Sequence, residues 1–175
     1  MDNKRPVRKH PRLKDYDYSS DGYYFVTMCV DGMRQILGKV DVGRDALIPP
    51  SVKLSKAGEI TRKYIEKINS VYENVKIDKY VIMPNHVHMI IVIEPNQERG
   101  GMRASRPTLF TVVRSTKAMI TREIGCSIWQ DSYYESIIRG DNSYKAAWQY
   151  IDDNPGKWAE DKYYSYGRLN DLGET

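Results

Sequence analysis

Apolar positions change their period several times along the chain, and each change marks an element. Tyr23–Val30 (YYFVTMCV) is an almost unbroken apolar run, rich in β-branched and aromatic residues, that ends at the turn signal Asp31-Gly32. It reads as a strand, with Gln35–Val40 as its expected hairpin partner. A loop punctuated by Val42-Gly43 and Pro49-Pro50 follows. From Ser55 to Asn69 the period becomes helical: Ile60, Tyr64, Ile65 and Ile68 recur on one side, Ser55 can cap and Glu59 sits in the early turns. Gly58 argues mildly against this helix, since glycine is about 1 kcal/mol worse than alanine inside one.

Val75–Met83 and His86–Ile93 read as two strands separated by Pro84-Asn85. After Pro107, Leu109, Val112, Val113, Met119, Ile120 and Ile124 predict a second amphipathic helix, ending near Gly125 and turning Arg114, Lys117 and Arg122 toward solvent. Tyr133–Arg139 is a predicted strand, Gly140–Asn142 a turn, and Ser143 the cap of a last helix that stops at Asn154-Pro155. Gly156–Thr175 is polar and tyrosine-rich and carries no period. The string β-β-α-β-β-α-β-α predicts an α+β fold, a mostly antiparallel sheet covered by helices.

The length of 175 residues suits one domain. The longest apolar run, Met89–Ile93, is strand-sized and far short of the roughly 18 residues of a membrane span. The basic, polar N-terminus has no apolar stretch behind it, which predicts no secretory signal, a cytoplasmic location and free thiols at Cys29 and Cys126. The net charge of +4 is uninformative until its distribution is considered. Lys4, Arg5, Arg8, Lys9, Arg12 and Lys14 crowd the N-terminus against a single acid, Asp2. Arg99, Arg103, Arg106, Arg114, Lys117 and Arg122 form a second basic segment with no acid in it. Two such segments suggest a track for a polyanion, although a solvated arm and a solvated helix face account for the charges equally well.

Candidate chemistry begins with His86 and His88. Residues at i and i+2 of a strand share a face, so both imidazoles project the same way, about 7 Å apart, close enough to converge on one metal ion where the strand is irregular. Two histidines satisfied inside the core are the alternative. On the last helix, Tyr150 and Asn154 stand four residues apart and therefore on one face. If that face packs on the histidine side of the sheet, an amide oxygen can complete a two-imidazole, one-oxygen site with a phenol beside it. A helix-end asparagine next to a packed tyrosine is the simpler reading of the pair alone.

Taken together these segments carry a resemblance. Tyr80–Ile93 (YVIMPNHVHMIIVI) resembles the His-hydrophobe-His (HUH) strand of the single-tyrosine transposases. IWQDSYYESIIRGDNSYKAAWQYIDDNP resembles the REP-associated tyrosine transposase branch, in which a strand ending in Arg leads to a helix closing with Tyr-Ile-x-x-Asn-Pro. Gly22–Val40 resembles the family's first hairpin, so the similarity runs from about Gly22 to Pro155. The resemblance implies a ferredoxin-like, RNA-recognition-motif-like sheet. It implies three segments: a basic arm over 1–21, the transposase domain over 22–155 and a tail over 156–175. It further implies that His86, His88 and Asn154 ligate a divalent metal, Mg²⁺ or Mn²⁺, and that Tyr150 is the nucleophile. Tyr144 lies on the same helix but lacks an asparagine four residues on, and Tyr133 and Tyr134 belong to a strand.

The implied activity is cleavage and rejoining of single-stranded DNA that folds into hairpins, through a 5′-phosphotyrosine, in a bacterial, nucleoid-associated monomer or homodimer. Lys4, Arg5, Arg8, Lys9, Arg12 and Lys14, together with Arg114, Lys117, Arg122 and Arg139, are the expected DNA contacts. Two other readings are a DNA-hairpin-binding descendant without strand transfer and a metal-dependent phosphodiesterase that uses water instead of tyrosine.

Overall fold

The computed structural model describes residues 17–18, 20–41, 49–95, 107–161 and 163. The chain runs through β1 (Gly22–Cys29), β2 (Gly38–Asp41), β3 (Ser51–Leu54), α1 (Lys56–Val71), β4 (Val75–Ile82), β5 (His86–Ile93), α2 (Leu109–Ile124), β6 (Tyr134–Ile138) and α3 (Gly140–Asp153). Four strands form the main sheet in the order β4-β5-β1-β6, every neighbouring pair antiparallel. Two crossovers, β1–α1–β4 and β5–α2–β6, thus interleave, which is the split βαβ arrangement of ferredoxin-like folds. The α+β, mostly antiparallel reading of the sequence holds.

The two sheet faces have different fates. Val87, Met89, Ile91 and Ile93 of β5 join Tyr24, Val26 and Met28 of β1 in one apolar cluster with Ile65 and Ile68 of α1 and Leu109, Val112, Val113 and Ile120 of α2. Strand alternation sends His86, His88 and Ile90 to the opposite face, where α3 packs against β4, β5 and β6. β5 is buried on both faces, β1 along all but its first residues, and both are bonded on both edges, which explains their near-continuous apolar sequences.

The helix ends follow the predicted chemistry on one side of the molecule only. Ser55 caps α1, its Oγ accepting from Gly58 N at 3.2 Å, and Thr108 caps α2 by accepting from Thr111 N at 3.2 Å. Gly125 closes α2 with a left-handed φ of 88°, its N–H donating to Thr121 O at 2.9 Å. α3 departs from expectation. It begins at Gly140, not after a Gly140–Asn142 turn, and Ser143 is not its cap. Gly140 has φ 76°, so the chain swings from β6 directly into the helix, and Asp141 places a carboxylate in the first turn where the helix dipole favours it.

The hairpin expectation also needs correction. β2 does not pair with β1; it pairs with β3, Gly38 opposite Leu54 and Asp41 opposite Ser51. Both edges of β1 are taken by β5 and β6, so the segment after Asp31-Gly32 turns through a short 3₁₀ helix (Asp31–Met33) and leaves the main sheet. Ser51–Leu54 is a strand that the sequence pattern does not reveal, because four residues are too few to establish a period.

Gly58 is explained by this second, two-stranded sheet. A Cβ there would lie 2.0 Å from the carbonyl oxygen of Leu37, whose peptide also accepts from Ser55 N at 2.9 Å. The close approach of α1 to Leu37 therefore demands glycine. Gly58→Ala should destabilise the protein by about 1–3 kcal/mol or more despite alanine's better helix propensity. A denaturant midpoint equal to or above that of the parent would refute this.

Candidate active site

β5 starts immediately after a sharp corner at Pro84-Asn85, and its first residue, His86, pairs with Cys29 of β1 while His88 pairs with Thr27. The rings of His86 and His88 stand 4.4 Å apart, both buried. Each has its Nδ1 engaged by a neighbour. Asn85 Oδ1, which can only accept, takes the Nδ1–H of His86 at 2.8 Å, and His88 Nδ1 lies 2.8 Å from Thr27 Oγ1. Asn85 is itself fixed: its Nδ2 donates to Met33 O at 3.1 Å and to Tyr163 O at 2.9 Å. This is the outer-shell pattern that sets imidazole orientation in metal sites, and it makes Nε2 the atom that could ligate a metal ion.

α3 brings its two residues to the same place. The Tyr150 ring lies 5.1 Å from His88 and 5.8 Å from Phe25. Asn154, at the C-cap of α3, is buried, and its Oδ1 has no hydrogen-bond partner among the described residues. An orphaned buried oxygen costs on the order of 1–3 kcal/mol, a cost that a bound cation would remove. Four interactions hold α3 to the sheet edge. Ile151 is buried, Tyr144 Oη donates to Asp78 Oδ2 at 2.7 Å, Lys79 pairs with Asp152 at 2.5 Å, and the Lys79 ammonium sits 3.3 Å from the Trp148 ring centroid. Asp78 reaches Tyr144 from a β-bulge between Ile77 and Lys79.

Past Pro155 the chain doubles back. Trp158 is buried 5.9 Å from the His86 ring, and Tyr163 lies 4.5 Å from it. Asp161 arrives with them: one ligand atom each from His86, His88 and Asp161 lie within 4.8 Å of one another. Two imidazoles and the Asp161 carboxylate thus form one cluster of donors, and the Asn154 amide stands beside it, acting on the Tyr150 phenol. Nitrogen with hard oxygen is a set that fits a divalent cation such as Mn²⁺ or Mg²⁺.

Electrostatics disfavour an unassisted phenolate. Burial raises the Tyr150 phenol above its usual value, the negative charge of Asp161 raises it further, and only the Asn154 amide acts in the other direction. Burial likewise holds Tyr163 well above the ordinary phenol range.

Thus the structure brings together all four residues that the sequence singled out, His86, His88, Tyr150 and Asn154. Asn85, Thr27, Asp161 and Tyr163 were missed. Thr27 carried a signal, as a hydroxyl inside the apolar run YYFVTMCV, and Asn85 was read only as part of a turn. Asp161 and Tyr163 lie in a segment with no period. The expected DNA contacts are dispersed. Lys4, Arg5, Arg8, Lys9, Arg12 and Lys14 fall outside the described residues. Arg114 and Arg122 are exposed on α2, against the opposite face of the sheet from the histidines, and Arg139 is exposed at the end of β6. Lys117 does not face solvent as expected. Its ammonium donates to Gln130 O at 2.9 Å and Ser132 O at 2.7 Å, bracing the turn before β6.

The fold is shared with a known structure, that of the REP-associated tyrosine transposase bound to a REP hairpin. The likeness has a TM-score of 0.57 and 22% sequence identity, over 87% of this chain and 77% of that one. Sequence relationships carry the comparison to a family. The profile described as Transposase IS200 like matches residues 52–154, and a Haemophilus influenzae protein of unassigned function is 34% identical across 90% of this chain and 93% of its own. This chain belongs to the IS200-like transposase family.

Burial pushes Lys117 down to about 8 from the ordinary 10.5. Between those values the unfolded chain holds a proton that the folded chain lacks, so this residue makes stability rise with pH across that window. Lys117→Met keeps the stem and removes the charge. The difference in denaturation midpoint between parent and Lys117→Met should therefore shift in the parent's favour from about pH 8 to 10.5. A pH-independent difference would show that the ammonium is not held as described.

Proposed function

We propose that the protein is a metal-dependent transposase of the REP-associated branch, which cleaves and rejoins hairpin-bearing single-stranded DNA through a covalent 5′-phosphotyrosine at Tyr150. The observation that carries this reading is the meeting of Tyr150 with the His86–His88 pair, with the Asn154 amide acting on the same phenol and its oxygen orphaned among the described residues. His86 and His88 would hold the cation through their Nε2 atoms, with Asn154 and Asp161 supplying oxygen. The bound cation would stabilise charge developing on the oxygens of the scissile phosphate.

The chain's own groups do the rest. Asn85 and Thr27 fix the two imidazoles, and the clamp of Asp78 and Lys79 on α3 presents the Tyr150 oxygen. In the step itself a bond forms between that oxygen and phosphorus while the bond from phosphorus to the 3′-oxygen breaks. The phenol loses a proton and the departing 3′-hydroxyl gains one. Because the phosphodiester energy is kept in the phosphotyrosine, a 3′-hydroxyl can reverse the reaction and join a new strand without a nucleotide triphosphate.

For DNA contacts, the N-terminal residues Lys4–Lys14 and the exposed Arg114, Arg122 and Arg139 remain the proposed set, and Lys117 supports it by bracing the fold. Arg114→Ala should weaken DNA binding and flatten its salt dependence by about one counterion. An unchanged slope would remove it from the footprint.

With Mn²⁺ and labelled hairpin DNA bearing unpaired arms, the parent should form a protein–DNA adduct stable to denaturant. Tyr150→Phe and added chelator should each abolish it. An adduct on Tyr150→Phe would overturn the nucleophile, and hairpin binding with no adduct from the parent would identify a binding descendant that has lost cleavage. The cation site has its own readout. Mn²⁺ should raise the melting temperature of the parent, and Asp161→Asn or Asn154→Ala should reduce that rise, whereas an undiminished rise in either variant would exclude that residue as a ligand.

A further inference from the structure

The histidine-bearing face of the sheet is covered unevenly, and an aromatic side chain stands on its open part. Thr27 of β1 is the direct partner of His88 on one side and of Tyr134 on the other, so His88, Thr27 and Tyr134 form one cross-strand row. Direct partners present their side chains on the same face. Two strand spacings place Tyr134 roughly 10 Å from His88, across the site. The residue is 38% exposed. Tyr23, the other exposed tyrosine of this face, is engaged edge-on by Tyr144 at 5.4 Å, and Phe25 is engaged by both His88 and Tyr150. Among the described residues Tyr134 has no such ring neighbour.

A lone exposed tyrosine is ordinary. Tyr134 differs in its position: a partly exposed aromatic residue on a four-stranded antiparallel sheet, in the same row as His88, on a strand whose far end carries the exposed cation Arg139. Proteins that hold unpaired nucleic acid use this combination, bases stacking on sheet aromatics while nearby cations take the phosphates. The small, exposed Ser136 lies next along the same face of β6.

We propose that Tyr134 is the stacking platform for one unpaired base of the DNA strand entering the Tyr150 site, and so positions the phosphate to be cut. This rests on the reading of the protein as a single-strand DNA transposase and adds to it a positioning residue that neither the histidine motif nor the tyrosine–asparagine pair contains. Stacking needs the ring and not the hydroxyl. It is also tolerant of base identity, so Tyr134 sets where the strand lies and leaves the choice of sequence to other contacts.

The experiment is equilibrium binding in chelator, where no cleavage occurs, using a fluorescent DNA hairpin with unpaired arms of mixed sequence. Tyr134→Ala should weaken binding roughly 5- to 100-fold, and Tyr134→Phe should retain the parent's affinity. Abasic sites stepped along the arms should reveal one position whose loss weakens the parent as much as Tyr134→Ala does and costs that variant nothing further. Tyr134→Leu, which keeps bulk without a π face, carries the same comparison should the alanine variant fold poorly. Affinity unchanged in Tyr134→Leu, or abasic penalties identical in parent and variant at every position, overturns the platform. The two readings fail separately. Coupling without a Mn²⁺-dependent adduct would leave the platform standing and remove the transposase chemistry, whereas an adduct without coupling would remove only the platform.

Discussion

The pairing of β1 with β5 in the middle of the main sheet is the constraint on which the site depends. Its register sets His86 against Cys29 and His88 against Thr27, and a slip of one residue would carry both imidazoles to the α1/α2 side. That register is enforced from the opposite face, where Val87, Met89, Ile91 and Ile93 interlock with Tyr24, Val26 and Met28 under the two helices. The apolar face thus supplies the free energy that holds two polar rings in a buried place they would not choose alone.

The polar face is less densely packed and more specific. α3 contributes a single buried apolar residue, Ile151, and is fixed mainly through side chains at the β4 edge: Tyr144 to Asp78, and Lys79 to Asp152 and Trp148. Those contacts are polar or cationic, so they determine the angle of the helix more than its stability. Tyr150 needs the angle. That angle sets the Tyr150 ring 5.1 Å from His88. The segment after Pro155 then closes the site from the remaining side with Trp158, Asp161 and Tyr163, and the Tyr163 carbonyl also takes a hydrogen bond from Asn85.

How legible this was in the sequence follows from the range of each interaction. The start of α1 and the end of α2 were readable because Ser55 and Gly125 act on residues three or four away, whereas the Thr108 cap of α2 went unread behind Pro107. The start of α3 was misplaced because Gly140 looks like a turn residue, and only the strand before it shows that its positive φ turns the chain straight into a helix. The partner of β2 was misassigned because hairpin logic pairs neighbours, while both edges of β1 were claimed by strands more than fifty residues later. Lys117 looked like a solvent-facing cation by helical period, yet two carbonyls from the turn before β6 draw its ammonium in.

By itself the sequence determined what short-range physics can encode: the α+β succession of elements, the shared face of His86 and His88, and the shared face of Tyr150 and Asn154. Strand and helix periods fix these relations before any tertiary contact exists. Only the tertiary structure decided that the two faces meet, that Asp161 and Tyr163 join them, and that Tyr134 is left open in the same cross-strand row. Those relations span from a handful of residues to more than a hundred, and they exist only once an antiparallel sheet has brought distant strands to within about 5 Å of one another.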